Sequence, residues 1–150
     1  MKIRIRMADE AEAEQLSAIS LAAKKYWGYP ESFFDHWNDV LKISPEFIAN
    51  NNVWVAVHNN EILGFSAISI KGTIAELEHM WVIPEHMKKG IGKRLMKAVT
   101  EYCKNAGMAY LRIESDPNAC VFYEKMGARL IDYVESRPEP RKLPVLKLEL

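Results

Sequence analysis

Apolar and polar positions change their period several times along the chain, and each change marks an element. Lys2 to Met7 alternates charged and apolar residues, the period of a strand. Asp9 stands where it can cap the next segment, EAEAEQLSAISLAAKKYWG. There Leu16, Ile19, Ser20 and Ala23 fall on one helical face and Gly28 supplies a stop. Pro30 opens a second helical pattern, ESFFDHWNDVLKI, with Phe33, Phe34, Trp37 and Leu41 at helical spacing.

From residue 53 the period becomes two. VWVAVH, Asn59-Asn60 and EILGFSAISI read as strand, tight turn and strand, because Asn tolerates the positive φ of hairpin turns. Gly72 turns the chain into TIAELEHMWVI, a third strand closed by Pro84. Ile91, Leu95, Val99 and Tyr102 form the apolar stripe of a helix running to Gly107. After it, AYLRIES reads as a strand, NACVFYEKMG as a short helix ending at Gly127, and ARLIDYVE as a strand. The charged loop SRPEPRK leads to PVLKLEL, a last alternating strand. The order β-α-α-β-β-β-α-β-α-β-β predicts an α/β protein with one mixed sheet and helices on both faces.

Length and composition narrow the chemistry. With 150 residues the chain is expected to form one domain, residues 1–150, and its 49% hydrophobic and 27% charged residues are ordinary for a globular protein. Twenty basic and twenty acidic residues cancel, so no global field points to nucleic acid or an anionic membrane. Cys103 and Cys120 show neither metal-ligand spacing nor a disulfide framework, so no metal is expected and a reducing, cytoplasmic setting is. The opening MKIRIRMADE lacks an apolar signal region, and no window approaches a membrane span.

The stretch PEHMKKGIGKRL, Pro84 to Leu95, is anomalous. A helix start favours Asp, Ser or Thr, yet Lys88, Lys89, Lys93 and Arg94 crowd this one, with Gly90 and Gly92 between them. The P-loop pattern fails because Arg94 follows Gly92-Lys93 and position 87 is Met. The dinucleotide fingerprint fails at Leu95, where it needs a small residue. A strand, two glycines and an uncapped helix start remain, which together make a backbone anion site. A solvated lysine turn is the plainer alternative, and the preceding apolar strand argues for a ligand.

Here the sequence resembles a family. WVIPEHMKKGIGKRLMKAV is similar to the acyl-CoA motif of the GNAT N-acetyltransferases, Gln/Arg-x-x-Gly-x-Gly/Ala after a strand ending in Val-x-Pro. NACVFYEKMGA resembles the second signature, an Asn shortly before Phe-Tyr-Glu-Lys-x-Gly, at the matching distance downstream. The resemblance is strongest over about residues 50 to 135. It implies a mostly antiparallel sheet of six to seven strands flanked by about four helices, and acetyl-CoA as cosubstrate. The pyrophosphate would sit on the N–H groups of Lys88, Lys89, Gly90, Ile91, Gly92 and Lys93. The pantetheine arm would follow Met80, Trp81 and Val82, where the strand splays from AYLRIES. Met87 departs from the motif, replacing its Gln/Arg donor.

The same resemblance implies a division of catalytic labour. Acetyl transfer to an amine needs a base for the ammonium and an acid for the leaving thiolate. Tyr123 matches the tyrosine that faces the sulfur and is assigned as the acid, against a packing role beside Phe122. Glu76 and Glu78 are the candidate bases, for simple alternation places both on one face of the third strand. Alternation points His79 the other way unless a bulge intervenes. Asn118 matches a position that contacts the cofactor arm, with capping of its own helix as an equal alternative. Cys120 lacks a base at suitable spacing and is read as structural.

Tyr26, Trp27 and Tyr29, at the turn between the first two helices, are candidates for the acceptor wall. Phe33, Phe34 and Trp37 are expected in the core. The expected function is therefore N-acetylation of a small-molecule primary amine by direct transfer in a ternary complex. A non-catalytic acyl-CoA-binding sensor is the alternative from another class. The free edge of PVLKLEL could pair across a homodimer.

Overall fold

The structure is a computed structural model that describes residues 1–138 and 140–150. Of the SRPEPRK loop, Glu139 lies outside the described residues. The strands are β1 (Arg4–Met7), β2 (Asn52–His58), β3 (Glu61–Lys71), β4 (Ile74–Val82), β5 (Tyr110–Glu114), β6 (Arg129–Ser136) and β7 (Arg141–Glu149). The helices are α1 (Ala13–Lys25), α2 (Glu31–Val40), α3 (Pro45–Asn50), α4 (Ile91–Asn105) and α5 (Cys120–Lys125). The strands form one sheet in the order β1-β2-β3-β4-β5-β7-β6. Every neighbouring pair is antiparallel except β4 with β5.

Local chemistry accounts for most of these elements. Asp9 and Glu12 form a reciprocal capping box ahead of α1. Asn59 and Asn60 take φ of 49° and 65°, the paired positive values of a tight hairpin turn. The helix α3 goes beyond the expected pattern. Ser44 caps it by accepting from the Phe47 N–H, and Pro45 occupies its first position. Its six residues are too few to show a helical period.

The sheet separates two apolar cores. On one face α4 packs Ile91, Leu95, Met96 and Val99 against Ala56, Leu63, Ile68 and Leu111. Leu95 and Val99 are completely buried, each contributing about 1.5–3 kcal/mol of burial free energy. On the other face α1 and α3 cover Val53, Val55, Phe65 and Ala67. Phe33, Phe34, Trp37 and Leu41 of the α2 region form a smaller third cluster.

Two irregularities in β4 set which side chains it presents on each face. The first is a slip in its register with β3, pairing Ile68 with Leu77 but Ala67 with His79, so Glu78 is the extra residue of a bulge. Leu77 and Met80 both join the α4 core, while His79 turns to the other face against Phe47 and Phe65. The simple alternation expected for His79 is thus corrected. Second, β4 and β5 pair only from Ile74–Leu77 with Tyr110–Ile113, after which β4 continues to Val82 paired with β3 but with no partner on its β5 side. A further correction concerns β7. It lies between β5 and β6 with both edges hydrogen-bonded, so PVLKLEL has no free edge to offer a second copy.

Candidate active site

Where β4 and β5 part, a cavity of about 820 Å³ runs from the start of α4 to the α1–α2 turn. At its α4 end the backbone dominates. Gly90, with φ +83°, is the N-cap of α4, and no side chain caps the helix. Nothing lies within 4 Å of where a Cβ on Gly90 would stand, so space above the turn is open. Lys88 also takes a positive φ, 63°, a conformation costing a non-glycine residue about 1–2 kcal/mol. Among the described residues, the N–H groups from Lys88 through Lys93 find no hydrogen-bond acceptor. Positive side chains and orphan N–H groups together favour an anion. Met87, Lys88, Gly90, Ile91, Gly92 and Lys93 line the cavity here. Lys89 does not, although its Nζ lies 3.5 Å from Nδ1 of His86, which does. Gly92 packs against Phe122, whose ring would stand 3.3 Å from an added Cβ.

Midway, Met80, Trp81 and Val82 line one wall along the unpaired part of β4. Asn118 and Tyr123 line the facing wall. Tyr123 is 5% exposed, and its hydroxyl makes no hydrogen bond among the described residues. Burial raises its phenol pKa well above the usual value, and the Asp116 charge adds to this, so the group stays protonated. Asn118 does not cap its helix. Asp116 caps that turn by accepting from the Asn118 N–H, while Asn118 Nδ2 donates to Tyr29 Oη and Asp116 Oδ1. Cys120 Sγ lies 3.7 Å from Glu124 Oε1 and does not line the cavity.

The two candidate bases are no longer equivalent. Glu76 is ion-paired at 2.7 Å with Arg112, across from it on β5, and is not part of the cavity wall. Burial pushes its carboxyl pKa up while Arg112 opposes. Glu78, displaced outward by the bulge, lines the cavity and accepts a 2.9 Å hydrogen bond from Ser69 Oγ. His79 lines it too. Burial lowers its pKa to about 4, and its Nδ1 accepts from Trp81 Nε1, so the neutral ring carries its proton on Nε2.

The charged side chains of the α1–α2 end, Lys24, Asp116 and Arg141, are ones that sequence patterns left unassigned. Lys24 is 8% exposed, pairs with Asp116 at 2.5 Å, and lies 4.4 Å from the centre of the Trp37 ring. Burial lowers the Lys24 pKa and the Asp116 contact opposes it. Burial would raise Asp116, but Lys24 and its hydrogen bonds outweigh that and hold the carboxyl low. Both groups are charged. Trp27 lines the cavity, and so does Trp37, although it is also in the core. Tyr29 instead braces Asp116 through its hydroxyl, at 3.0–3.1 Å. Tyr26 stays outside, more than half exposed, with its ring edge against Trp27. Arg141 of β7 completes this end. One signal could have found Lys24: it continues the buried stripe of Leu16 and Ser20 at four-residue spacing.

Among the described residues no helix is long and apolar enough to cross a membrane, and no three His, Cys, Asp or Glu side chains cluster to hold a metal.

The chain is similar to several known proteins. The chain is 28% identical over 129 residues to the peptidyl-lysine N-acetyltransferase YiaC of Escherichia coli, covering 84% of this chain and 85% of that protein. The crystal structure of PaiA N-acetyltransferase from Thermoplasma acidophilum, in complex with coenzyme A, superposes with a TM-score of 0.82. It shares 21% identity over the whole of both chains. A GNAT-family acetyltransferase from Elizabethkingia anophelis with acetyl-CoA bound gives 0.72 at 21% identity, covering 99% of this chain and 98% of that one. Residues 13–128 match the family described as acetyltransferase (GNAT), so the chain belongs to that family and is an acyltransferase.

Proposed function

We propose that the protein transfers the acetyl group of acetyl-CoA to the primary amine of a small molecule, directly, in a ternary complex. The observation that carries this is the continuity of one cavity from the unpartnered N–H groups of Lys88–Lys93 to the free hydroxyl of Tyr123. The residues present fit coenzyme A. The open, uncapped start of α4 suits a pyrophosphate, and the unpaired edge of β4 at Met80, Trp81 and Val82 offers backbone groups to the amides of pantetheine. The thioester supplies an activated acetyl group.

The chain's own residues then have separate tasks. Glu78, at the cavity wall, takes the proton of the acceptor ammonium, directly or through one water. The aromatic wall of Trp27 and Trp37 excludes water, which lowers the ammonium pKa and eases that step. Tyr123, held protonated by burial, gives its proton to the departing sulfur. Glu76 holds Arg112 and stays out of the chemistry. A small acceptor is favoured over a protein lysine, the substrate named for the E. coli relative, because α1 and α2 wall this end with Lys24, Trp27 and Trp37. Thiol release from acetyl-CoA, measured with a panel of amines, tests the reading. Turnover is expected, with Tyr123→Phe lowering kcat by about 10²-fold or more. Equal rates for the two proteins would remove Tyr123 as the acid, and no release with any amine would overturn the reading.

A further inference from the structure

Most charges at the acceptor end are already neutralised. Lys24 is paired with Asp116, and Glu114 with Arg112. Two are not. Glu78 accepts only from the neutral Ser69 hydroxyl, and Arg141 makes no ion pair among the described residues. Both line the cavity.

Arg141 is also held in place without being fully satisfied: the Tyr29 hydroxyl is close enough to accept from its guanidinium, but its Nε is left over. Its guanidinium lies over the rings of Tyr29, Trp37 and Phe33, 5.1, 5.2 and 5.9 Å from their centres. Its Nε is buried and has no hydrogen-bond partner among the described residues. Aromatic faces fix a guanidinium but accept none of its in-plane N–H bonds. A buried donor left unpaired is unfavourable until something accepts from it. The Lys24 ammonium is near enough to Arg141 for their charges to repel. A planar carboxylate would meet the guanidinium fork with two parallel hydrogen bonds and offset that repulsion.

Resting on the acetyl-transfer reading above, we propose that the acceptor is an amino acid: a primary amine that also carries a carboxylate. The carboxylate is held by Arg141 and the ammonium faces Glu78. In the transfer, one ammonium proton passes to Glu78, the amine nitrogen bonds to the acetyl carbon as the carbon–sulfur bond breaks, and the thiolate takes the Tyr123 proton. The nitrogen's second surplus proton returns to the Tyr123 phenolate, leaving the neutral amide and free thiol. The carboxylate is unchanged throughout. A lysine inside a protein has its own carboxyl group tied up in a peptide bond, so this pairing separates free amino acids from protein acceptors.

The test compares α-amino acids, β-alanine and γ-aminobutyrate with their own carboxamides as acceptors for the wild-type protein. At least one acid should exceed its amide by about 10-fold or more in kcat/KM. Arg141→Gln should abolish that preference without changing acetyl-CoA affinity, and Arg141→Lys should restore part of it. Equal values for every acid and amide, or a preference for amides or diamines, would overturn the proposal while leaving acetyl transfer intact. Calorimetric titration of the N-acetyl amino acids and N-acetyl amino amides, with and without coenzyme A, gives a readout independent of turnover. Binding of an acid form that Arg141→Gln loses supports the anion site even if no amine is acetylated. No binding of any acid form would refute it.

Discussion

The two ends of the cavity are built by different means. At the start of α4 the groups offered are backbone N–H bonds, positioned by Lys88 and Gly90 in left-handed conformations. At the α1–α2 end they are side chains from far-apart segments: Lys24, Trp37, Asp116 and Arg141. A backbone site is specified by a few consecutive residues and tolerates changes in side chains. A side-chain site depends on every partner, because a buried charge stripped of its counter-charge is costly.

The sharpest break in the comparison is at Lys24. Lys24→Met should leave Asp116 buried and unpaired, costing about 3–5 kcal/mol in denaturant unfolding. Lys24→Met combined with Asp116→Leu should recover most of that. A single variant with near-wild-type stability would show that the acceptor end is not held by this pair.

His79, between the two ends, gives a pH signature. A histidine at about 4 in the folded protein and about 6.5 unfolded contributes at most about 3 kcal/mol. The unfolded chain binds the proton first as pH falls. The contribution is therefore complete above pH 6.5 and disappears as pH drops toward 4. Unfolding free energy measured across that window should fall for the wild type, and His79→Gln should lose that part of the slope. Parallel slopes in both proteins would mean that His79 is not buried as described.

The smallest effect is expected at the backbone end. Met87→Arg restores a donor beside the α4 turn, yet the N–H groups already present do most of the work. It should tighten coenzyme A binding by no more than about 10-fold, or leave it unchanged, with acceptor KM unaffected. A clear loss of affinity would mean that the turn is not where the pyrophosphate rests.

This contrast also explains what could be read from the sequence. The succession of strands and long helices along the chain and the α4 turn were legible because their causes are local: alternation, paired asparagines, glycines and a missing cap. The β4 bulge was not, since it depends on pairing with β3, yet it alone distinguishes Glu78 from Glu76 and turns His79 inward. Short α3 lacked the length for a period, although Ser44-Pro45 carried its capping signal. PVLKLEL read as an edge because alternation does not reveal a strand's neighbours. Arg141 lies in a charged loop-to-strand stretch, and only the tertiary fold sets it over Tyr29 and Trp37.

The central claim is that the unsatisfied start of α4 is completed by the pyrophosphate of coenzyme A. Backbone amide resonances followed during titration test this most directly, with coenzyme A in one series and pantetheine, which lacks the pyrophosphate, in the other. The account predicts that coenzyme A shifts the Lys88–Lys93 amides strongly while pantetheine leaves them nearly unmoved and perturbs Met80–Val82. Binding of coenzyme A that leaves Lys88–Lys93 unchanged would contradict it.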